Sequence, residues 1–141
     1  MSHDVPRVLP GKPGPTPNPE TVPFWEGLAD GVIRVQRCRA CRRAQHNARI
    51  ICRWCWSEDL EWLDTIGAGR VWTWTVVHRP SHPAWEDEVP YAVLIVELDE
   101  GPRVVTAFEG ELPVLSVGLP VVVTSRPQGE GHVVVARAAG P

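Results

Sequence analysis

Residues 36–57 have the sequence QRCRACRRAQHNARIICRWCWS, which contains all four cysteines of the chain. They form two Cys-x-x-Cys pairs, Cys38 with Cys41 and Cys52 with Cys55, separated by ten residues. Each pair can form a tight turn whose backbone N–H groups point at sulfur, and two such turns can place four thiolates around one Zn²⁺ at about 2.3 Å. A four-sulfur shell leaves no ligand position open, so the sequence predicts one structural zinc ion.

Other uses of paired cysteines fit this chain less well. A thioredoxin-like redox centre needs one such pair in a βαβ context, whereas two pairs stand here in tandem. The first 20 residues lack the apolar segment of a signal peptide, and no apolar run approaches the ~20 residues that span a bilayer. We therefore expect a cytoplasmic protein that contacts no membrane and whose cysteines bind metal rather than form disulfides. Iron could occupy the same ligands in an overexpressing host.

The cysteine stretch is strongly basic in an acidic chain. Residues 31–57 contain seven arginines and no acidic residue, so with a net charge of −3 for the whole chain the remainder carries −3 − 7 = −10. Four thiolates with one Zn²⁺ leave −2, which nearby cations can offset. The arginines either compensate negative charge nearby or form a docking face for an anionic partner. The sequence leaves both interpretations open.

The remaining chain indicates a mainly β protein, and we divide it into four parts. Residues 1–19 hold six prolines and predict a disordered arm or linker. Residues 20–34 predict one short helix and its lead-in, with Thr21 as the cap, Pro23 in the first turn and Gly31 after the end. Residues 35–58 form the predicted zinc ribbon, and residues 59–141 the predicted barrel.

Alternating apolar residues and turn signals after the ribbon predict five strands, the first of them bent, in a small Greek-key barrel of the OB type. Gly67 and Gly69 allow the sharp bend or bulge that a closing barrel needs. In the first strand, strict alternation places Trp72, Trp74 and Val76 on one face. The segment 79–89, RPSHPAWEDEV, is the longest loop of this region.

The motifs together resemble one family, which combines a rubredoxin-like zinc ribbon with an OB fold and was long classed as a domain of unknown function. The matching pieces are PFWEGLADG, CRAC, CRWC, GAGRVWTWTVV, PYAVLIVEL and VGLPVVV, within residues 22–138. The resemblance implies a non-catalytic accessory subunit or domain. It implies docking on a thiolase-like or lipid-transfer-protein-like enzyme. That enzyme would be a thiolase or retro-aldolase of acyl-CoA metabolism, with steroid side chains among its substrates. It also implies a fused or associated hydratase-like domain and a barrel that lines the acyl-CoA channel.

Two departures from the family pattern concern the cysteine turns. Relatives usually place glycine directly after the second cysteine of each pair, where a positive φ is easiest. Arg42 and Trp56 stand at those two positions in this chain. The loop before Cys52 also lacks the prolines that are usual there. Neither change removes a metal ligand.

The residues do not assemble an independent catalytic site. No fifth cysteine is present to act as a nucleophile, and Ser81 near His78 and His82 lies in a proline-rich loop with no acid placed by spacing. No phosphate-binding or dinucleotide-binding motif is present. We therefore predict that the chain catalyses nothing alone and that chemistry belongs to a partner.

Seven tryptophans exceed what a barrel of this size can bury. We expect Trp25, Trp62 and one of Trp72 and Trp74 in the core. Large aromatics beside arginine are typical of interfaces, which predicts a partner-binding surface of Arg42, Arg43, Arg53, Trp54 and Trp56, with packing on the N-terminal helix as the alternative for the two tryptophans. A substrate channel or ligand site is predicted at Trp72, Trp74, His78 and Trp85.

Two further functions remain as alternatives. OB barrels and zinc ribbons both bind single-stranded nucleic acid through basic grooves and stacked aromatics. The acidic barrel and a pI near 5.9 make nucleic acid an unexpected partner. Direct binding of acyl-CoA by this chain is the other alternative, with arginines at the CoA phosphates and the acyl thioester at the barrel mouth.

Overall fold

A computed structural model describes residues 11–140 and contains one short helix, a three-stranded sheet and a closed five-stranded barrel. The elements follow in this order: α1 (Val22–Ala29), β1 (Arg34–Cys38), β2 (Ala44–Gln45), β3 (Leu60–Asp64), β4 (Ala68–Val77), β5 (Tyr91–Leu98), β6 (Arg103–Phe108), β7 (Pro120–Gln128) and β8 (Gly131–Ala138). The predicted mainly β fold is confirmed. Among the described residues, no helix is both long and apolar enough to cross a membrane.

The ribbon sheet has the antiparallel order β2-β1-β3. The sequence-based division assigned residues from 59 onward to the barrel, but β3 pairs with β1 at all five of its positions, from Arg34 opposite Asp64 to Cys38 opposite Leu60. Residues 60–64 therefore complete the ribbon, and the chain enters the barrel at Gly67.

The barrel has the strand order β4-β5-β6-β8-β7 and closes by pairing of β4 with β7. Its neighbours are antiparallel except β6 and β8, which run parallel and pair only at Ala107 with Val135 and at Phe108 with Ala136. This parallel contact is the shortest ladder of the closed barrel.

Apolar side chains from helix, ribbon and barrel form one shared core. Val96, Leu98 and Val104 lie inside the barrel, and Leu28 of α1 is fully buried against them with Val35 of β1. Ser125 Oγ of β7 donates a hydrogen bond of 2.5 Å to the Leu28 carbonyl. The helix thus links the ribbon to the barrel.

The predicted helix is confirmed at Val22–Ala29, with Pro23 in its first turn and Gly31 at a positive φ after its end. Thr21 does occupy the N-cap position, but its side chain accepts no backbone hydrogen bond from the helix. Its hydroxyl instead accepts a hydrogen bond of 3.1 Å from Trp25 Nε1. The predicted cap therefore orients a tryptophan.

The expected arrangement of Trp72 and Trp74 on one face is wrong. The register between β4 and β5 shifts between Val71 and Thr73, so Trp72 is an extra residue in the ladder. This bulge reverses the alternation, because a single added residue moves every later side chain to the opposite face. Trp74 packs against the core, whereas Trp72 lies outside beneath the Arg103 guanidinium, 3.6 Å from the ring centroid.

Part of the proline-rich segment lies against the barrel. Gln128 Nε2 donates a hydrogen bond of 2.9 Å to the Pro13 carbonyl, and Lys12 pairs with Glu88 at 2.5 Å. Residues 11–18 form no helix or strand. The expectation of a disordered arm did not include these contacts with the barrel. The expectation for residues 1–10 lies outside the described residues.

Close backbone approach at the start of β4 generates a stability prediction. A Cβ on Gly69 would lie 2.5 Å from the Glu97 carbonyl oxygen and 2.8 Å from a methyl of Val96. The neighbouring strand must move to accept it, so we expect Gly69→Ala to lower the free energy of unfolding by about 1–3 kcal/mol, as overpacking does. Gly140→Ala is the control, because nothing lies within 4 Å of its added Cβ. Equal urea midpoints for the two variants would contradict the predicted packing.

Candidate metal centre

Two backbone turns bring the four predicted cysteines together. In the first, Arg42 N–H donates to the Cys38 carbonyl at 2.8 Å, and in the second Trp56 N–H donates to the Cys52 carbonyl at 3.0 Å. The N–H groups of Cys41 and Trp54 point at the Cys38 and Cys52 sulfurs, each at 3.4 Å. These are the tight turns that the Cys-x-x-Cys spacing predicts.

The four Sγ atoms lie within 4.8 Å of one another. Cys38 and Cys55 are 3.5 Å apart and Cys41 and Cys52 are 3.6 Å apart, and none of the four forms a disulfide. A tetrahedron with Zn–S bonds of about 2.3 Å has sulfur edges of about 3.8 Å. The spacing therefore fits a four-thiolate zinc site.

The ionisation of the thiols also favours a cation at the centre. The Cys41 N–H lowers the pKa of the Cys38 thiol, and although burial opposes it, N–H groups of Cys55 and Trp54 lower the pKa of Cys52 to about 6. The pKa of Cys55 is instead raised to about 11, because nearby sulfurs outweigh the Ser57 N–H, which lowers it. A divalent cation among the sulfurs would remove this mutual repulsion.

Both turns contain a residue in the left-handed backbone region. Arg42 has φ 69° and Trp56 has φ 67°, at the two positions where the family pattern has glycine. Side chains with a Cβ adopt this region at a cost of roughly 1–2 kcal/mol. The two departures noted in the sequence therefore stand at positions whose backbone conformation favours glycine.

Two buried glutamines hold the loop between the cysteine turns. Gln45 Nε2 donates to Gln36 Oε1 at 2.8 Å and to the Ile51 carbonyl at 3.2 Å, and Gln45 Oε1 accepts from the Arg53 N–H at 2.9 Å. Gln36 in turn bonds both the N–H and the carbonyl of Arg49. These amides fix the loop that carries the second cysteine turn, and sequence analysis missed them. Their positions could have indicated this role, because Gln36 precedes Cys38 in β1 and Gln45 follows Cys41 in β2.

Acidic residues of β3 and the turn before it neutralise part of the ribbon's positive charge. Arg34 pairs with Asp64 at 2.6 Å, and Arg37 pairs with Glu61 at 2.7 Å. Arg39 contacts both Asp59 and Glu61 at 3.2–3.3 Å. These carboxylates follow directly after residues 31–57, the stretch that contains seven arginines and no acidic residue. Among the described residues, four ribbon arginines have no ion pair: Arg42, Arg43, Arg49 and Arg53.

The predicted partner-binding residues form one exposed cluster beside the metal centre. Trp54 is 43% exposed and Trp56 is 77% exposed. The guanidinium groups of Arg53 and Arg43 lie 5.0 Å and 5.6 Å from the Trp54 ring centroid. Neither tryptophan belongs to the core around α1. We call Arg42, Arg43, Arg53, Trp54 and Trp56 the ribbon surface.

The structure does not bring the four predicted channel residues together. Trp72 is on the outer face, Trp74 packs against the core, and His78 is exposed after the end of β4. Trp85 lines a cavity of about 560 Å³ between the ribbon loop, α1 and the barrel. Of these four side chains, the structure therefore places Trp85 at a cavity, and its role there stays a prediction.

Removal of one ligand tests the metal centre. We expect the purified chain to contain about one zinc per molecule and Cys52→Ser to contain almost none, because three thiolates with one hydroxyl bind zinc much more weakly. The variant should also unfold at a lower temperature, since the turns lose the ion that holds the sulfurs together. Metal analysis and thermal denaturation measure both effects, with Ser57→Ala as the control. Full zinc content and an unchanged melting temperature in Cys52→Ser would contradict the site.

The left-handed residues give a second prediction. We expect Arg42→Gly to raise the free energy of unfolding by about 1 kcal/mol, because glycine adopts a positive φ without strain. Arg43→Gly is a matched control, since this adjacent arginine has no positive φ and glycine there only adds freedom to the unfolded chain. Denaturant titration of the zinc-loaded variants measures both changes. A loss of stability equal to that of Arg43→Gly would show that the Arg42 backbone is unstrained.

Comparison with known proteins gives two adjoining family matches. Residues 25–61 match the model described as "ChsH2, rubredoxin-like zinc ribbon domain". Residues 62–126 match "ChsH2, C-terminal OB-fold domain". The junction between the two models lies within β3. Together they cover more than half of the chain.

Curated relatives share the sequence but are longer. A "Probable enoyl-CoA hydratase alpha subunit" of Thermomonospora curvata is 36% identical over 123 residues, which are 86% of this chain and 37% of the relative. A "DUF35 domain-containing scaffold protein" of Methanothermobacter thermautotrophicus is 36% identical over 60% of this chain and 65% of the relative. The "3-oxo-4,17-pregnadiene-20-carboxyl-CoA hydratase alpha subunit" of Mycobacterium tuberculosis is 29% identical over 78% of this chain and 35% of the relative. The chain thus spans less than two thirds of each.

Two solved structures share the architecture. A chain of the "Ltp2-ChsH2(DUF35) aldolase" aligns with a TM-score of 0.80 and 32% identity over 90% of this chain and 100% of its own. A protein of unknown function from Sulfolobus solfataricus, of the DUF35 family, has a TM-score of 0.62 at 18% identity, which shows the fold alone. From the metal-ligand geometry, the barrel and these matches, the chain belongs to the ChsH2 family of rubredoxin-like zinc ribbons joined to an OB fold.

Proposed function

We propose that this chain is a non-catalytic accessory module that docks on a lipid-transfer-protein-like or thiolase-like enzyme of acyl-CoA metabolism. In this proposal the zinc ion stabilises the ribbon, the ribbon surface contacts the enzyme, and the bond-making residues belong to the partner. Lining of the acyl-CoA channel by the barrel is part of the same proposal.

The match to the Ltp2-ChsH2(DUF35) aldolase carries this proposal. That chain aligns over its full length with a TM-score of 0.80, and its printed description pairs a ChsH2 chain with a second component in an aldolase. A fold shared over a whole chain at 32% identity supports a shared mode of use. The choice of a lipid-transfer-protein-like partner rests on this neighbour.

The chemistry of the ribbon surface supports docking. Interfaces concentrate their binding energy in partly exposed tryptophan and arginine side chains that a partner can cover. Trp54 and Trp56 are such side chains, and Arg42, Arg43 and Arg53 around them have no carboxylate partner among the described residues. Together with Arg49, the unpaired arginines exceed the −2 charge of a four-thiolate zinc centre by about 2. An acidic, partly apolar patch on the enzyme would complement this surface.

The contacts of the loop 79–89, which holds Ser81 and His82, support a non-catalytic role. His82 Nδ1 accepts a hydrogen bond of 3.0 Å from the Ala84 N–H, and its ring contacts Trp85 edge to face. The imidazole therefore stabilises a 3₁₀ turn and does not act as a base toward Ser81. The relative from M. thermautotrophicus carries the description of a scaffold protein, which agrees with this role.

The substrate class comes from the relatives. Two of them are described as hydratase alpha subunits, one of enoyl-CoA and one of a steroid carboxyl-CoA, and this chain covers about a third of each. We propose that a hydratase-like domain is fused to or associated with this module. We also propose that acyl-CoA esters, with steroid side chains among them, are the substrates of the assembly.

The assembly proposal is tested by binding of a purified lipid-transfer-protein-like enzyme from the same source organism. We expect Trp54→Ala and Arg53→Glu each to weaken this binding at least 10-fold, because truncation of a central tryptophan or arginine typically costs 2 kcal/mol or more. Arg70→Glu is a control for the charge change, since Arg70 is exposed on the barrel and bonds the Gly118 carbonyl. Calorimetry measures the dissociation constants. Equal affinity of all four proteins would remove the ribbon surface as the docking site.

The nucleic-acid alternative is measured with the same preparations. A single-stranded oligonucleotide that binds tightly, with affinity falling steeply as salt rises, would favour it over docking on an enzyme. Ion pairing of Arg34, Arg37 and Arg39 within the ribbon leaves fewer cations for phosphates than the sequence indicated. We therefore expect weak binding that is lost by physiological salt.

A further inference from the structure

Residues 11–15, with the sequence GKPGP, contact two connections between barrel strands, and we call these residues the strap. At the first connection, the loop between β4 and β5, Lys12 pairs with Glu88 at 2.5 Å and lies 5.6 Å from the Trp85 ring centroid. Lys12 is the one lysine of the chain. Its ammonium group thus meets a carboxylate and an aromatic ring of the same loop.

At the second connection, the turn between β7 and β8, the strap meets the barrel backbone to backbone. Gln128 Nε2 donates a hydrogen bond of 2.9 Å to the Pro13 carbonyl. A Cβ added to Gly14 would lie 2.6 Å from the Gln128 carbonyl oxygen, and one added to Gly129 would lie 2.5 Å from the Gly14 nitrogen. Both sides of the contact therefore require glycine, because a side chain on either would separate the two backbones.

The strap belongs to a segment that is extended before it docks. Prolines stand at positions 13, 15, 17 and 19, so every second residue has a fixed φ, and each residue before a proline is biased away from the helical region. Such a segment is stiff and loses less conformational entropy on docking than a flexible chain does. Proline-rich segments dock in aromatic-lined grooves of other proteins for this reason.

We propose that the β4–β5 loop and the β7–β8 turn form a binding site for an extended proline-rich segment, and that the strap occupies this site within its own chain. Trp85 and Glu88 bind the cation, Gln128 binds a carbonyl group, and Gly129 requires glycine in the ligand. The ligand class is therefore a peptide with the consecutive residues Lys-Pro-Gly. The site lies in this chain alone, so the inference stands apart from the proposed enzyme docking.

Occupancy of the site positions one rim of the cavity of about 560 Å³. Trp85, Glu88 and Gln128 all line that cavity, and the strap contacts each of them. Displacement of the strap should therefore change the surroundings of the Trp85 ring. This ring serves as the reporter in the experiment.

Gly14→Val in the full, zinc-loaded chain tests the contact within the molecule. The added side chain meets backbone atoms of the turn, because its Cβ would lie 2.6 Å from the Gln128 carbonyl oxygen and 3.2 Å from the Glu130 nitrogen. We expect fluorine NMR of protein labelled with fluorotryptophan to show a changed Trp85 signal, which is identified by its loss in Trp85→Phe. Gly11→Val is the matched control, since nothing lies within 4 Å of its added Cβ.

The control variant should give the Trp85 signal of the unaltered chain. Zinc content and circular dichroism should be the same in all three proteins, because the strap lies outside the shared core. An unchanged Trp85 signal in Gly14→Val would overturn the contact of the strap with the turn.

A synthetic peptide that copies residues 11–17, GKPGPTP, tests the site between molecules. We expect it to bind the Gly14→Val protein saturably and to return the Trp85 signal toward that of the unaltered chain. The peptide GKPVPTP, with valine at the position of Gly14, should bind more weakly by about 10-fold or more, because the added side chain overpacks the contact. The unaltered chain should also bind GKPGPTP more weakly, since its own strap competes at an effective concentration of about millimolar.

The peptide titrations decide whether this is a binding site. Equal affinity of the two peptides, or no response of the Gly14→Val protein to millimolar GKPGPTP, would overturn it. Enzyme docking through the ribbon surface is measured with Trp54→Ala and does not depend on the strap, so failure of the proposed function would be seen separately.

Discussion

Mutual repulsion among four thiolates is the constraint on which the ribbon depends. Sulfurs 3.5 Å apart cannot all ionise without a cation, and the raised pKa of Cys55 expresses that repulsion. A bound divalent ion converts it into attraction and fixes both cysteine turns. The turns hold the ends of the loop 42–51, the loop carries His46 and Ala48, and these residues form one wall of the cavity. The metal centre therefore supports a site that it does not itself line.

The parts of the fold that were predictable from sequence are those decided by local spacing. Two Cys-x-x-Cys pairs specify two turns, and Arg42 and Trp56 follow the second cysteines at the positive φ that such turns require. The short helix followed from Pro23 and an apolar stripe. In each case the deciding residues lie within a few positions of one another, so no long-range information is needed.

The errors arose where pairing between distant strands decides the outcome. The bulge at Trp72 depends on the register of β4 against β5, and no pattern within β4 alone reveals it. The pairing of β3 with β1 was hidden for the same reason, because the strand character of residues 60–64 does not reveal their partner. Local compensation of the arginines could not be assigned from sequence, because Glu61 lies 24 residues after Arg37 yet bonds it across that ladder.

Charge and apolar surface are separated by the ribbon loop. A depression beside this loop is lined by Arg49, Arg53 and Trp56, and it shares His46 and Asn47 with the cavity of about 560 Å³. His46 and Asn47 thus lie between a depression lined by unpaired arginines and a cavity lined mainly by apolar and aromatic side chains. The buried glutamines that bond Arg49 and Arg53 through their backbones fix the position of this divide.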